Sequence, residues 1–258
     1  MAREGSNARA DGASAANLDA DELARFDALA SRWWDPHGPA RPLHKLNPAR
    51  LAFIRERAIS HWRRDPRSLR PLADLSALDI GCGGGLVSEP LARMGARTLG
   101  IDAGKEAIAV ARAHAREAGL DEHLSYRRAL SADLVAEGAH FDLVCCLELI
   151  EHVPEPTALL ADARALTRPD GLFFFSTLNR SACSYAAAIV GAEYLLRWVP
   201  PGTHDWNRFV RPDEMREMLE AAGFSAIEMS GLSYDPLADR FRLSGDLSVN
   251  YIGCASPR

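Results

Sequence analysis

The chain has 258 residues, 47% hydrophobic and 25% charged, with a formal net charge of −5. That is enough apolar material for a sizeable globular core. The acidic balance argues against a nucleic-acid binder, which carries a basic patch. Five cysteines, Cys82, Cys145, Cys146, Cys183 and Cys254, form no Cys-x-x-Cys pair. A disulfide framework or thiolate zinc site is not expected, and a reducing compartment is. No apolar h-region opens the chain, and no apolar run reaches the ~18 residues a membrane span needs.

Residues 1–20 are small and polar and are expected to form a disordered tail. A helix is predicted from Asp21, with Leu23, Phe26, Ala30 and Trp33-Trp34 as its apolar positions, ended by the turn residues Asp35 to Pro39. Asn47-Pro48 is expected to open a second helix along Leu51, Ile54, Ala58 and Trp62. Trp33, Trp34 and Trp62 are read as packing residues. Residues 21–72 thus make an N-terminal helical cover, followed by a core over 73–258 within one domain.

From Ser76 short apolar runs alternate with amphipathic helices. Strands are predicted at Leu78–Ile80, Thr98–Ile101, Leu124–Ala129, Phe141–Leu147 and Gly171–Thr177. Helices are predicted to Met94, over Lys105–Ala118 and over Thr157–Leu166. Such alternation implies a mostly parallel sheet with helices on both faces, a Rossmann-like α/β fold. Further on, helices are predicted at Tyr185–Trp198 and Pro212–Ala222, and strands at Ala226–Ser230 and Val249–Ala255. Residues 180–210 read as a lid-like insertion.

Two motifs carry chemistry. Asp79-Ile80-Gly81-Cys82-Gly83-Gly84-Gly85 lies between a strand and a helix, where glycines permit a sharp turn and close approach to a ligand. Asp102 ends the next strand, about 20 residues on, where an acid binds ribose hydroxyls. The loop is Asp-x-Gly-x-Gly-Gly-Gly rather than Gly-x-Gly-x-x-Gly, so it is similar to the first motif of class I methyltransferases. Gly100-Ile101-Asp102 resembles their second. Asp79 reads as a structural group or a partner for the methionine ammonium. The second motif, Glu148-Leu149-Ile150-Glu151-His152, follows the fourth strand, where ligands bind in open α/β sheets. Its acids and imidazole could share one face. They suit either a Mg²⁺ site or catalysis with His152 as base. His204-Asp205, in a proline- and glycine-bounded loop, is a further candidate.

Arg32-Trp33-Trp34-Asp35, Leu43 to Arg50, Glu148 to Pro154, Phe174 to Arg180, Gly191-Ala192-Glu193-Tyr194, Pro201 to Asp205, Gly231 to Pro236 and Val249-Asn250-Tyr251 together resemble the ubiquinone-biosynthesis O-methyltransferase family over about Phe26 to Tyr251. The resemblance implies a seven-stranded class I methyltransferase sheet. It implies S-adenosylmethionine as cofactor, with Arg50, Gly81, Gly83, Asp102 and Leu147 as contacts. It also implies Mg²⁺ held by Glu148, Glu151 and His152, and methylation of the phenolic hydroxyls of 2-polyprenyl-6-hydroxyphenol and 3-demethylubiquinol. His152, Glu148 and His204 are the candidate catalytic residues. Another small-molecule O- or C-methyltransferase and a non-enzymatic cofactor-binding module are the alternatives.

A long apolar substrate tail calls for contact with a bilayer. Tyr185 to Trp198, amphipathic with Tyr and Trp, is the expected surface. Seven arginines in Arg50 to Arg70 could assist at anionic lipid. The expected location is cytoplasmic, peripheral at the inner face of the membrane, with a ubiquinone-biosynthesis complex as a possible partner.

Overall fold

The computed structural model describes residues 17–186 and 205–258. His204, Trp198, most of the expected lid-like insertion and nearly all of the Tyr185–Trp198 segment lie outside the described residues.

The chain begins with α1 (Ala20–Leu29), continues through a 3₁₀ turn (Ala30–Arg32) and enters the long α2 (Arg41–His61). Asp19 caps α1 by accepting from the amides of Asp21 (3.2 Å) and Glu22 (3.3 Å). Pro42 opens α2, and Pro48 lies within it, against the expectation that Asn47-Pro48 starts the helix. An interior proline costs a helix about 3 kcal/mol. Burial of Leu46, Ala49, Phe53, Ile54 and Ala58 and a 2.6 Å hydrogen bond from Asn47 Nδ2 to the Leu86 carbonyl oppose that cost.

The core then runs β1 (Ser76–Ile80), α3 (Ser88–Arg93), β2 (Arg97–Asp102), α4 (Lys105–Glu117), β3 (Leu124–Arg128), α5 (Ser131–Ala136), β4 (Phe141–Leu147), a 3₁₀ turn (Ile150–His152), α6 (Pro156–Leu166) and β5 (Thr167–Leu178). After the short α7 (Ala182–Ser184) come a 3₁₀ turn (Trp206–Arg208), α8 (Pro212–Ala221), β6 (Phe224–Asp235), β7 (Arg240–Ser244) and β8 (Asn250–Pro257). Helix α5 is a short element of six residues that the sequence pattern does not predict.

One sheet of eight strands has the order β3-β2-β1-β4-β5-β8-β6-β7. Strands β1 to β5 are parallel, and β8 joins β5 antiparallel, with β6 on its far side. The eighth strand beyond the expected seven is β7, an antiparallel hairpin partner of β6. It is short, and only Phe241 and Leu243 among its arginines pack inward, against the cluster around α2. That alternation is too brief to stand out in sequence.

Both sheet faces are covered, which explains the unbroken apolar runs in β4 and β5. Phe173 and Phe175 face one layer, with Leu159, Leu160 and Leu166 of α6 and Met215 and Leu219 of α8. Phe174 faces the other, edge-on to Phe53 of α2 at 6.3 Å. The chain reverses its strand order between β1 and β4. The loops after these two strands therefore open a crevice at the carboxyl edge of the sheet.

Candidate active site

A cavity of about 1120 Å³ fills this crevice. It exceeds the ~300–1,000 Å³ usual for one small ligand. Its floor is the loop after β1, including Gly81, Cys82 and Gly83, and one wall is the loop after β4, from Leu147 to Val153. Helix α1, Trp33 and the start of α2 close it from above, and Tyr234, Pro236 and Phe241 of the β6–β7 hairpin border it.

Gly81 and Gly83 both have positive φ, +72° and +51°. A side chain would strain either position. It would also meet Leu149 at Gly81, 2.8 Å from a Cβ, and the indole of Trp33 at Gly83. The glycines therefore admit the neighbours that roof the loop. Trp34 adds a 2.9 Å hydrogen bond from Nε1 to the Gly84 carbonyl and stacks on His114 at 3.5 Å. Asp102 Oδ2 accepts from the Gly83 amide (2.9 Å) and Oδ1 from the Gly104 amide (2.7 Å). Burial raises its carboxyl above the ordinary range despite these bonds. Asp79 is fully buried and accepts from Ser88 Oγ at 2.6 Å. Burial, reinforced by Asp102 and opposed by Ser88 and Arg50, pushes its carboxyl up to about 7.

Arg50 projects from α2 into the cavity wall, 3% exposed. Its Nη2 lies 3.3 Å from Glu148 Oε1, an ion pair without hydrogen-bond geometry, and its Nε has no hydrogen-bond partner among the described residues. Burial lowers its pKa, with Glu148, Glu151 and Asp79 opposing. Glu148 stands at φ +52°, a region costly for a residue with a side chain. Four contacts hold it there. Its amide donates to the Ser176 carbonyl (3.0 Å), Oε1 accepts from Ser176 Oγ (2.6 Å) and faces Arg50, and Oε2 accepts from Asn250 Nδ2 (3.1 Å).

Glu151 is buried and accepts from Thr177 Oγ1 at 2.7 Å. Burial, together with the nearby Glu148 charge, pushes its carboxyl up to about 7. His152 turns the other way, its Nδ1 2.8 Å from Glu22 Oε2 of α1 and its ring edge-on to Phe26 at 5.1 Å. Burial alone would lower its pKa. The Glu22 bond and the charges of Glu151, Glu22 and Glu148 outweigh that and raise it.

The residues fit S-adenosylmethionine. A buried guanidinium whose Nε has no hydrogen-bond partner among the described residues suits a carboxylate, and an acid at the end of β2 suits ribose. Leu147, 8% exposed, adds an apolar wall. They do not fit Mg²⁺. Among the described residues no group of three or more His, Cys, Asp or Glu side chains is placed to hold a metal ion. The expected Glu148, Glu151 and His152 set is dispersed onto Arg50, Ser176 and Asn250, onto Thr177, and onto Glu22 respectively. The expected i, i+3, i+4 convergence fails because Ile150–His152 is a single 3₁₀ turn, entered from a left-handed Glu148. Glu22, Ser176, Thr177 and Asn250 were not foreseen as site residues. The only prior sign was that Ser176-Thr177 and Asn250 lie in segments of the family pattern.

Strand order, glycine loop and acidic strand end together define a class I S-adenosylmethionine-dependent methyltransferase. A methyltransferase domain model matches residues 44–229. Among solved structures, magnesium protoporphyrin IX methyltransferase from Synechocystis with bound SAM superposes with a TM-score of 0.62 at 19% identity, covering 94% of this chain and 99% of that one. A possible histamine N-methyltransferase from Thermotoga maritima gives 0.61 at 14% identity, covering 92% and 99%. Sequence relatives are closer. The ubiquinone biosynthesis O-methyltransferase of Parvibaculum lavamentivorans is 49% identical over 96% of this chain and 97% of its own length. That of Azorhizobium caulinodans is 48% identical over 94% and 95%. The mitochondrial enzyme of Arabidopsis thaliana is 46% identical over 95% and 76%. The chain belongs to the ubiquinone biosynthesis O-methyltransferase family.

Two outcomes follow. Gly83→Ala forces a side chain into the left-handed region, at about 1–2 kcal/mol, and pushes Trp33 off the loop. Thermal stability falls and calorimetry shows weaker S-adenosylmethionine binding. Unchanged affinity would separate the Trp33 roof from the cofactor site. For Asp79, the folded state keeps its proton to about pH 7 and the unfolded chain releases it near 3.8. Between these values the folded state binds more protons, so stability falls as pH rises. Urea unfolding of the apoprotein will therefore show Asp79→Asn gaining on the parent from about pH 4 to 7, with no further gain above. A gap independent of pH would contradict this.

Proposed function

We propose that the chain transfers the methyl group of S-adenosylmethionine to a phenolic oxygen of 2-polyprenyl-6-hydroxyphenol and of 3-demethylubiquinol, with His152 as the base. The observation that carries this reading is the His152 ring, which lines the cavity with Nδ1 already engaged by a carboxylate. A carboxylate only accepts, so in the neutral imidazole Nδ1 bears the hydrogen and Nε2 keeps its lone pair. Nε2 takes the phenol proton, which makes the oxygen a better nucleophile. The cofactor, when bound, supplies a methyl on a sulfonium leaving group. Transfer would form the C–O bond as the sulfonium C–S bond breaks, leaving that electron pair on sulfur. The protein's remaining work is positioning. Arg50 receives the methionine carboxylate and Asp102 the ribose. Asn250 is buried in the cavity wall with an unpartnered Oδ1, which accepts a hydroxyl of the ring. The Leu43, Tyr234, Pro236 and Phe241 side of the cavity takes the start of the apolar tail.

Among the described residues no helix is long and apolar enough to cross a membrane. The amphipathic sequence Tyr185–Trp198 supports delivery of the tail from a lipid surface and a peripheral position at the inner face of the membrane. His204 keeps the secondary catalytic role drawn from its sequence context.

Incubation with labelled S-adenosylmethionine and a short-chain 2-prenyl-6-hydroxyphenol tests the reading. Label is expected on the phenolic oxygen, and His152→Ala is expected to lower kcat by about 10²–10⁴-fold, the range for removing a general base. Label on ring carbon, or none despite tight cofactor binding, would overturn the substrate class. Full activity of His152→Ala would overturn the base.

A further inference from the structure

We propose that Glu22, on the N-terminal cover and outside the sheet core, is a positioning residue of the reaction: it fixes the ring and tautomer of His152. This rests on the reading of His152 as base. The two side chains lie 130 positions apart and meet at 2.8 Å, with exposures of only 15% and 14%. Such a pair is shielded enough to be geometrically defined, unlike an exposed ion pair.

The surroundings leave the ring little freedom. Phe26, one helical turn beyond Glu22 and on the same face of α1, packs edge-on against the imidazole with an interplanar angle of 86°. Helix α1 is itself clamped at several points. Asp19 Oδ2 receives Arg208 at 3.0 Å, and Asp27 Oδ1 accepts from the Ala107 amide at 3.2 Å, in the first turn of α4. Asn17 exchanges two hydrogen bonds with the Glu155 backbone, 3.1 and 2.8 Å, three residues past His152. Both ends of the Glu22–His152 contact are therefore anchored by independent bonds. The alternative carboxylate partners on the core are engaged elsewhere, Glu151 by Thr177 and Glu148 by Ser176, Asn250 and Arg50. Among the described residues the cover supplies the acceptor at Nδ1, which leaves Nε2 as the base nitrogen. The site is thus complete when α1 is seated, so the element that closes the cavity also arms it.

The test uses the full chain with Glu22→Ala, Glu22→Gln, His152→Ala and the Glu22→Ala/His152→Ala double variant. It combines steady-state kinetics with nitrogen NMR of the His152 ring. Glu22→Ala is expected to lower kcat about tenfold or more with KM for S-adenosylmethionine little changed. It is expected to have no further effect on kcat when His152 is already alanine. Glu22→Gln keeps an acceptor for Nδ1–H without the charge, and is expected to fall between Ala and the parent. NMR is expected to show the Nδ1–H tautomer in the parent and a mixture in Glu22→Ala. Equal loss in the parent and His152→Ala backgrounds would mean that Glu22 only holds the cover, and would overturn the proposal. Loss in His152→Ala with parent-like Glu22→Ala would overturn it while sparing the base. Parent-like kcat in both single variants would overturn both. Should the phenol not be turned over at all, the substrate reading fails, and an unchanged tautomer in Glu22→Ala would still refute the positioning role.

Discussion

A guanidinium buried at the carboxyl edge of the sheet must find acceptors, and much of the site follows from how Arg50 finds them. Its ion-pair partner is Glu148, which stands in a left-handed backbone and which Ser176 and Asn250 hold in place. The charge of Arg50 thereby joins α2 of the cover to β4, β5 and β8 of the sheet. The Arg50 Nε has no hydrogen-bond partner among the described residues, and the side chain lines the cavity.

The sheet contributes position and the cover contributes closure. Order reversal between β1 and β4 brings the glycine loop and the Glu148–His152 loop side by side, though they are far apart in sequence. Neither loop makes a closed chamber alone. Trp33 and Trp34 lie on the glycine loop, and Glu22 and Phe26 lie on His152. The cover thus touches both the glycine loop and the His152 side of the crevice.

The parallel half of the fold was legible because its signals are local and repeated. The runs of β4 and β5, the glycine loop and Asp102 each announce themselves within a few residues. Pro48 misled because proline marks helix starts, and only the buried contacts of Leu46, Phe53 and Asn47 show why the helix runs through it. β7 was missed because two apolar residues among arginines make no pattern. Glu148, Glu151 and His152 were rightly placed at the crevice, but their grouping as one ligand set depended on a helix that the chain does not form there. Glu22 was beyond reach, since its meaning lies in a contact 130 positions away. The site therefore combines what local patterns reveal, namely the glycine loop and Asp102, with what only packing reveals, namely the contacts around His152.

The central proposal is that Arg50, buried beside Glu148 in the cavity wall, receives the cofactor carboxylate. Calorimetric titration of the parent and Arg50→Lys with S-adenosylmethionine and with its decarboxylated form tests it most directly. Lysine keeps the charge facing Glu148 but cannot fork onto a carboxylate. S-adenosylmethionine should lose about tenfold or more in affinity, in line with hydrogen bonds to charged groups at roughly 1.5–3 kcal/mol, while the decarboxylated form binds both proteins alike. An equal loss for both ligands, or none for either, would contradict the account.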